Sequence, residues 1–250
     1  EKEKTLSAFT QRVQNKKHQI KISATGKLEA IKKIELFAEV SGVFKGSSKL
    51  YKEGVSYKKG QLLIAIDDVE KRTNLKAEKS NYKRLITSIL PDIKMDYPAE
   101  IDKWENYLHS INLDKNLPPL PKASTEKESY YLSAKNVEST YFNIKNSEER
   151  LSKHTIYAPF DGVLTEALLN PGTLIRVGQK LGEFVSVNNY EMLVPIGQED
   201  VQFLNVGDSV LLKDLENGNS WNAQIARINK RVNTNSQTVD VFVKVQSKEL

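Results

Sequence analysis

Few side chains in this sequence of 250 residues could act as imidazole or sulfur ligands to a transition metal. They include His18, His109, His154, Met95 and Met192, and cysteine is absent. Clustered imidazole, thiolate or thioether ligands would indicate a transition-metal site. The histidines share no i, i+4 spacing and the methionines fall in different predicted modules, so the sequence predicts neither a metal site nor a cofactor. Disulfides and thiol catalysis are excluded as well.

Among the adjacent acidic residues, Asp67 with Asp68 and Glu199 with Asp200 are the pairs considered as candidates for catalysis. Adjacent side chains on a strand or a helix point apart, whereas a general acid and a general base must converge on one substrate. Asp67 is better explained as a helix cap. The net charge of +5 is spread over mixed basic and acidic residues, so a nucleic-acid partner is not indicated. The sequence therefore predicts a protein that is not an enzyme.

The most informative pattern is a glycine spacing that occurs twice, at residues 40–66 and 160–186. The glycines are Gly42, Gly54 and Gly60 in the first copy and Gly162, Gly172 and Gly178 in the second. In each copy the last glycine is followed directly by Gln and, two residues after that Gln, by Leu, as in EGVSYKKGQLL and PGTLIRVGQKL. These segments suit a β-turn followed by a strand, because glycine adopts backbone angles that other residues resist. Each copy supplies strands with one apolar face, so we expect the two copies to close one small β-sandwich.

The sequence between the two copies changes to a helical period. Asp67 with Glu70, and Thr125 with Glu128, have the spacing of a capping box. The first pair predicts a helix over 68–89 that ends at Pro91. The second predicts a helix over 125–151, whose heptad seam is Tyr130, Ala134, Val137, Tyr141, Ile144, Glu148 and Leu151, with Glu148 as its one interruption. Because a narrow apolar stripe needs a partner, we expect an antiparallel coiled-coil hairpin over 68–154.

The segment that joins the two predicted helices is rich in aromatic residues and proline. Pro98 suits the first turn of a short helix that has Ile101, Trp104, Leu108 and Ile111 on one face. The following NLPPLPK is expected to be extended. We place this segment at the far end of the hairpin, as an exposed docking surface formed by Trp104, Tyr107, Leu117, Pro118 and Pro119. The alternative is that these residues only cap the hairpin.

Alternating patterns near both ends of the sequence predict further strands. Ile20 and Ile22, then Ile34 and Leu36, alternate with polar neighbours, and strand and turn patterns continue after residue 187. No apolar run approaches the roughly 18 residues of a membrane span. The opening Glu-Lys-Glu-Lys is typical of a truncated sequence, so we expect any upstream anchor to be missing.

A family resemblance rests on these motifs. APFDGVLTE followed by PGTLIRVGQKL, with AEVSGVFKGSSKLYKEGVSYKKGQLLIAIDD as the first half, resembles the split lipoyl-like domain of periplasmic adaptor subunits. These are the HlyD-like membrane fusion proteins of tripartite efflux and type I secretion systems. VPIGQEDVQFLNVGDSVLL resembles the start of the family's β-barrel domain. The sequence departs from the family in lacking the heptad-spaced Arg-Leu-Ser signature of the hairpin turn, and we expect the membrane-proximal domain to be absent.

The resemblance implies a fold class and its domains. The implied protein is elongated, multi-domain and mixed α and β. A lipoyl-like (barrel-sandwich hybrid) β-domain, residues 35–67 and 155–186, is interrupted by the α-helical hairpin, residues 68–154. Residues 18–34 and 187–250 are then a β-barrel domain that is incomplete at its C-terminus.

The resemblance also implies a function. Such adaptors lie in the periplasm of Gram-negative bacteria, anchored to the inner membrane, and link an inner-membrane transporter to an outer-membrane channel of the TolC class. The transporter implied first is of the resistance–nodulation–division (RND) type, and an ABC transporter of a type I secretion system is the alternative. Full-length adaptors form rings, commonly hexamers, whereas we expect the present chain to be mainly monomeric. A biotin or lipoyl carrier domain of a multienzyme complex, or a scaffolding envelope protein, are alternatives from other classes.

Overall fold

The computed structural model describes residues 10, 12–13, 20–187, 189–214 and 217–246. The chain divides into two compact units, one formed by residues 30–189 and the other by residues 1–29 with 190–250. His18, which we expected at the start of a barrel strand, lies outside the described residues.

The described residues form thirteen strands and five α-helices. The strands are β1 (Lys27–Ala30), β2 (Lys33–Phe37), β3 (Gly42–Gly46), β4 (Ser56–Tyr57), β5 (Leu62–Ile66), β6 (Thr155–Tyr157), β7 (Gly162–Ala167), β8 (Leu174–Ile175), β9 (Lys180–Ser186), β10 (Asn189–Gly197), β11 (Ser209–Lys213), β12 (Ser220–Asn233) and β13 (Thr238–Gln246). The helices are α1 (Val69–Asp96), α2 (Ile101–Ser110), α3 (Glu126–Ala134), α4 (Val137–Ser152) and α5 (Gln198–Val201), with a 3₁₀ turn at Pro98–Glu100.

In the larger unit, the two glycine-spaced segments exchange strands. One sheet has the order β2-β9-β7-β4 and the other has the order β6-β5-β3-β8. Strands β2 to β5 come from residues 33–66, which contain the first glycine segment, and β6 to β9 come from residues 155–186, which contain the second. Each sheet therefore has two strands from each of these stretches. The two sheets share one core, in which Leu63, Leu164, Leu181 and Phe184 are fully buried. Neither segment has a complete sheet of its own.

Reciprocal hydrogen bonds at the glycine turns hold the exchange in register. The Gly54 N–H donates to the Leu164 carbonyl at 2.8 Å, and the Gly172 N–H donates to the Phe44 carbonyl at 2.9 Å. The second turn glycines repeat the exchange, with Gly60 donating to Ala158 and Gly178 donating to Ala38, both at 2.8 Å. Corresponding residues of the two segments thus bond each other across a local pseudo-two-fold arrangement.

The repeated glutamine after the second turn glycine closes that turn. The Gln61 side-chain oxygen accepts the Lys58 N–H at 2.8 Å, and the Gln179 side-chain oxygen accepts the Arg176 N–H at 3.0 Å. In each turn, the glutamine side chain therefore accepts the backbone N–H of the residue three positions before it. This explains why both segments carry Gly-Gln.

Helix α1 is longer than the sequence predicts. It passes through Pro91 and ends at Asp96, so the expectation that the helix ends at Pro91 is wrong. A proline inside a helix costs about 3 kcal/mol. Ile86 and Ile89 before it and Ile93 after it are all fully buried. Packing on both sides of the proline outweighs the lost hydrogen bond.

The helix expected over 125–151 is divided into α3 and α4. Thr125 caps α3 as expected, because its side-chain oxygen accepts the Glu128 N–H at 3.2 Å. Asn136 interrupts the helix in the left-handed conformation, with φ of 56°, which asparagine tolerates better than most residues. The break shifts the apolar stripe, so the expected seam is wrong in α3: Tyr130 is 71% exposed, and Leu132 is buried instead.

The smaller unit contains one five-stranded sheet with the order β1-β10-β13-β12-β11. Strands β11, β12 and β13 are antiparallel neighbours. Val194, Ile225, Val241 and Val243 form the centre of its core. Ile20 and Ile22 lie outside any strand, so the strand expected there is wrong; β1 begins at Lys27. None of the described helices is both long and apolar enough to cross a lipid bilayer.

Candidate functional site: the helical arm

The residues expected at an exposed hairpin end lie inside the helical arm, which we define as residues 68–154. Trp104 is fully buried, and Tyr107 and Leu117 are 5% and 4% exposed. The Tyr107 hydroxyl lies 3.1 Å from the Tyr82 hydroxyl of α1. The expectation of an exposed aromatic end is therefore wrong, because α2 folds back along α1 and buries its aromatic face there.

Residues 112–124, here called the strap, follow α2 without helix or strand, with a turn at residues 113–114. At the start of the strap, the Lys115 carbonyl accepts the Lys79 ammonium of α1 at 2.8 Å. At its end, the Ser124 hydroxyl donates to a Glu100 carboxylate oxygen at 2.9 Å, beside the C-terminal end of α1. The strap is thus bonded to α1 near its start and to the 3₁₀ turn that follows α1 at its end.

The first buried carboxylate of the arm holds the strap at Leu117. Glu148 of α4 accepts the Leu117 N–H at 2.7 Å, and its oxygens pair with Lys79 and Lys145, both at 2.7 Å. The side chains of Lys79 and Glu148 are only 3% and 4% exposed. We name Glu148 with Lys79, Lys145 and Leu117 the lower clamp.

The second buried carboxylate holds the strap at Ser124. Glu128 of α3 accepts the Ser124 N–H at 2.7 Å. Its other oxygen accepts the Trp104 indole N–H and pairs with the Lys103 ammonium, both at 2.9 Å. We name Glu128 with Lys103, Trp104 and Ser124 the upper clamp. Every buried side-chain nitrogen and oxygen of the described residues has a hydrogen-bond partner, so the clamps bury charge without leaving unpaired groups.

The electrostatics of both clamps favour ionised carboxylates. Burial tends to raise the pKa of Glu148, but the hydrogen bonds from Lys145, Lys79 and the Leu117 N–H outweigh it and leave the pKa below its usual value. The pKa of Glu128 is lowered in the same way, with burial opposed by Trp104, Lys103 and the Ser124 N–H.

Acid is therefore expected to destabilise the arm. Both carboxylates have a lower pKa in the folded chain than in the unfolded chain, where glutamate titrates near about 4.3. Their contribution is complete above that value and is lost as the pH falls through the folded-state pKa. Urea unfolding at pH 7, 5, 4 and 3.5 measures this loss. A Lys79→Met, Glu148→Met double variant should lose less stability over the same range; an equal loss in both proteins would contradict the assignment.

The sequence indicated one of these clamps only indirectly. Glu148 stands out as the polar member of an apolar heptad seam, which is the signal of a buried charge that needs a partner. The capping-box spacing predicts only a local role for Glu128. Its N–H does donate to the Thr125 hydroxyl oxygen, but its carboxylate accepts the Ser124 N–H of the strap. Lys79 carried no signal, because lysine is common on exposed helix faces.

The other predicted site residues occupy distinct places. Gly54, Gly60, Gly172 and Gly178 are at turns with φ between 79° and 88°, whereas Gly42 and Gly162 lie at close approaches within β3 and β7. Pro118 is half-buried and Pro119 is exposed on the strap. Asp67 accepts the Val69 N–H at 3.2 Å at the start of α1. Among the residues that the structure describes, no three acidic or histidine side chains gather in a way that could hold a metal.

A comparison by sequence gives limited information. No family model matches the chain. An uncharacterised protein of Haemophilus influenzae is 24% identical over 196 residues, which are 78% of this chain and 45% of that protein. The chain therefore spans less than half the length of this curated relative.

Solved structures are more informative. A MacA–MexA chimera with the α-hairpin domain of Pseudomonas aeruginosa MexA has a TM-score of 0.62 at 17% identity, over 89% of this chain and 74% of that chain. The membrane fusion protein Spr0693 of Streptococcus pneumoniae has a TM-score of 0.58 at 13% identity, over 88% and 89%. The chain has the fold of the membrane fusion proteins.

The membrane fusion protein fold extends over nearly the whole chain. A candidate efflux transporter of Bacteroides eggerthii also shares it, with a TM-score of 0.57 at 19% identity, and this chain covers 60% of that structure. The resemblance that the split glycine repeat indicated is thereby confirmed at the level of the fold. The glycine repeat predicts the β-sandwich of this fold, but it does not predict how the arm and its two clamps are arranged.

Proposed function

We propose that this chain is part of a periplasmic adaptor that links an inner-membrane transporter to an outer-membrane channel of the TolC class in an efflux or export system. The transporter is of the RND type in this proposal. The full-length protein is anchored to the inner membrane and forms a ring of six copies. The adaptor carries out no chemical reaction; it connects its partners and transmits conformational change.

The observation that carries the proposal is where the arm is inserted. It leaves the two-sheet sandwich of the larger unit, here called the β-unit, after β5 and returns at β6. The arm is thus inserted between the two stretches whose strands share one core, here called the β-core. A biotin or lipoyl carrier presents a modifiable lysine on a short turn at this position, and here the position holds four helices and a strap. The insertion therefore favours an adaptor over a carrier domain.

The domain arrangement in this proposal has three modules. Residues 35–67 and 155–186 are the lipoyl-like domain, residues 68–154 are the hairpin arm, and residues 18–34 with 187–250 belong to a β-barrel domain. The strand exchange between the two glycine segments supports the first of these. The five-stranded sheet supports the third.

Channel docking by the arm also remains a proposal. Three of the five residues that we expected to dock are buried, namely Trp104, Tyr107 and Leu117. Pro118 is half-buried, and Pro119 is exposed. A docking contact through the other side chains would require the strap to move.

Affinity purification of the full-length protein from cross-linked envelope membranes tests the proposal. We expect recovery of a transporter and an outer-membrane channel together, and an RND transporter in place of an ATP-binding subunit. Recovery of neither protein would favour a scaffolding role. A mass increase corresponding to biotin or lipoate on a lysine of the native protein would support the carrier alternative.

A further inference from the structure

The strap is bound in an unusual way, since buried charged side chains contact its main chain at two separate points. The lower clamp binds the N–H of Leu117 and the upper clamp binds the N–H of Ser124. Lysines of the same two clamps bind strap carbonyls, Lys79 at Lys115 and Lys103 at Lys122, at 2.8 and 3.0 Å. The strap is thus held through its main-chain N–H and carbonyl groups.

The two clamps together connect the strap to all four helices of the arm. The lower clamp contributes Lys79 from α1 and Glu148 from α4, and the upper clamp contributes Lys103 from α2 and Glu128 from α3. If the strap separated from one carboxylate alone, that carboxylate would stay in place on its helix. The strap residues between the two clamps would then lose their packing against the arm. Leu117 is buried, and it would be the first apolar side chain exposed.

The composition of the strap favours binding and release as one piece. Pro118, Pro119 and Pro121 have no backbone N–H. The stretch therefore has few backbone donors whose hydrogen bonds must be broken when it detaches. Proline also restricts the detached chain to extended conformations, which lowers the entropy lost on rebinding. The stretch between the two clamps is therefore stiff, and motion at one clamp reaches the other.

We propose that the strap is a latch whose two clamps open and close together, in a local opening that leaves the long helices folded. In the closed state Leu117 of the strap packs in the same apolar core as Trp104 and Tyr107, and the strap fixes the arm as one packed bundle. In the open state this apolar face is accessible and the arm is held only by packing between helices. Local openings of this kind have lower free energies than global unfolding. The inference concerns the arm alone and does not depend on the proposed partners.

Amide hydrogen exchange, resolved by residue with NMR on the whole chain, tests the coupling. In Glu148→Gln we expect exchange at the Ser124 amide, which does not touch Glu148, to rise about tenfold along with that at Leu117, because the Leu117 amide loses a hydrogen bond to a charged group. The reciprocal variant Glu128→Gln should accelerate exchange at Leu117. The matched control Glu149→Gln changes an exposed neighbour and should leave both amides unchanged.

The amides of Leu63 and Phe184 in the β-core serve as the internal reference. They should keep their protection in every variant, which separates latch opening from general unfolding. If each variant accelerates only the amide bound to its own carboxylate, the clamps are independent and the latch does not exist. If β-core protection falls together with that of the strap, the change is global and the inference of a local latch is wrong.

Discussion

Replacing Glu148 by methionine is expected to lower the free energy of unfolding by about 3–5 kcal/mol, because it leaves a charge buried without its partner. The Lys79 ammonium, with a side chain only 3% exposed, would keep the Lys115 carbonyl and lose its carboxylate. The Leu117 N–H would lose its acceptor at the same time. Urea unfolding at pH 7, followed by circular dichroism, measures the loss.

Two further variants separate the buried charge from lost packing. Glu149→Met changes the adjacent, exposed glutamate and should alter stability by no more than about 0.5 kcal/mol. The double variant Lys79→Met, Glu148→Met removes both charges and should recover part of the loss, since an apolar pair of similar size often replaces a buried ion pair without cost. The remainder is the Leu117 N–H, which still lacks its acceptor. A double variant less stable than Glu148→Met alone would contradict this explanation.

The exchange of strands in the β-unit could be predicted from the sequence because its determinants are local. A turn glycine with positive φ and a glutamine that closes the turn appear in the sequence as a fixed spacing, whatever the rest of the chain does. Two copies of that spacing, each with too few strands for its own sheet, leave pairing between the copies as the simplest arrangement. Gly42 and Gly162 indeed lie in the same core unit.

The architecture of the arm could not be predicted in the same way, because it depends on contacts between distant residues. A heptad stripe indicates that a helix has a partner, but it gives neither the number of partners nor their order. The lower clamp joins Lys79, Leu117 and Glu148, which come from three different segments of the arm. The type of each residue is ordinary in its own segment. Only the contact among the three shows that residues 98–124 fold back.

The break between α3 and α4 has a different cause. Asn136 has no strong local signal in the sequence, since asparagine also occurs inside helices. Its left-handed conformation lets α4 begin with Val137 fully buried, while α3 places Leu132 and Glu128 in the arm core. A continuous helix would put Tyr130 and Ala134 there instead. The gain from burying Leu132 and forming the upper clamp decides the break, and both are tertiary effects.

Replacing Gly162 by alanine is expected to destabilise the β-unit by about 3 kcal/mol, at the upper end of typical overpacking costs. A Cβ atom at this position would lie 2.4 Å from the Val185 carbonyl oxygen and 2.9 Å from two carbons of the Phe184 ring. The carbonyl belongs to the neighbouring strand β9 and is fixed by sheet pairing with β7. Neither neighbour can move without disturbing the shared core.

The pseudo-symmetric position provides a matched control for this substitution. A Cβ at Gly42 would lie 2.5 Å from Cγ2 of Ile66 and 3.2 Å from the Asp67 carbonyl oxygen. Its tightest contact is with a side chain and not with the backbone of a paired strand, so Gly42→Ala should cost less than Gly162→Ala. Gly172→Ala meets no atom within 4 Å and should cost only about 1–2 kcal/mol, for its left-handed backbone with φ of 88°. Urea unfolding of the three variants gives the order. If Gly172→Ala proved the most damaging, turn conformation would matter more than the close approach of the exchanged strands, contrary to the packing described for this core.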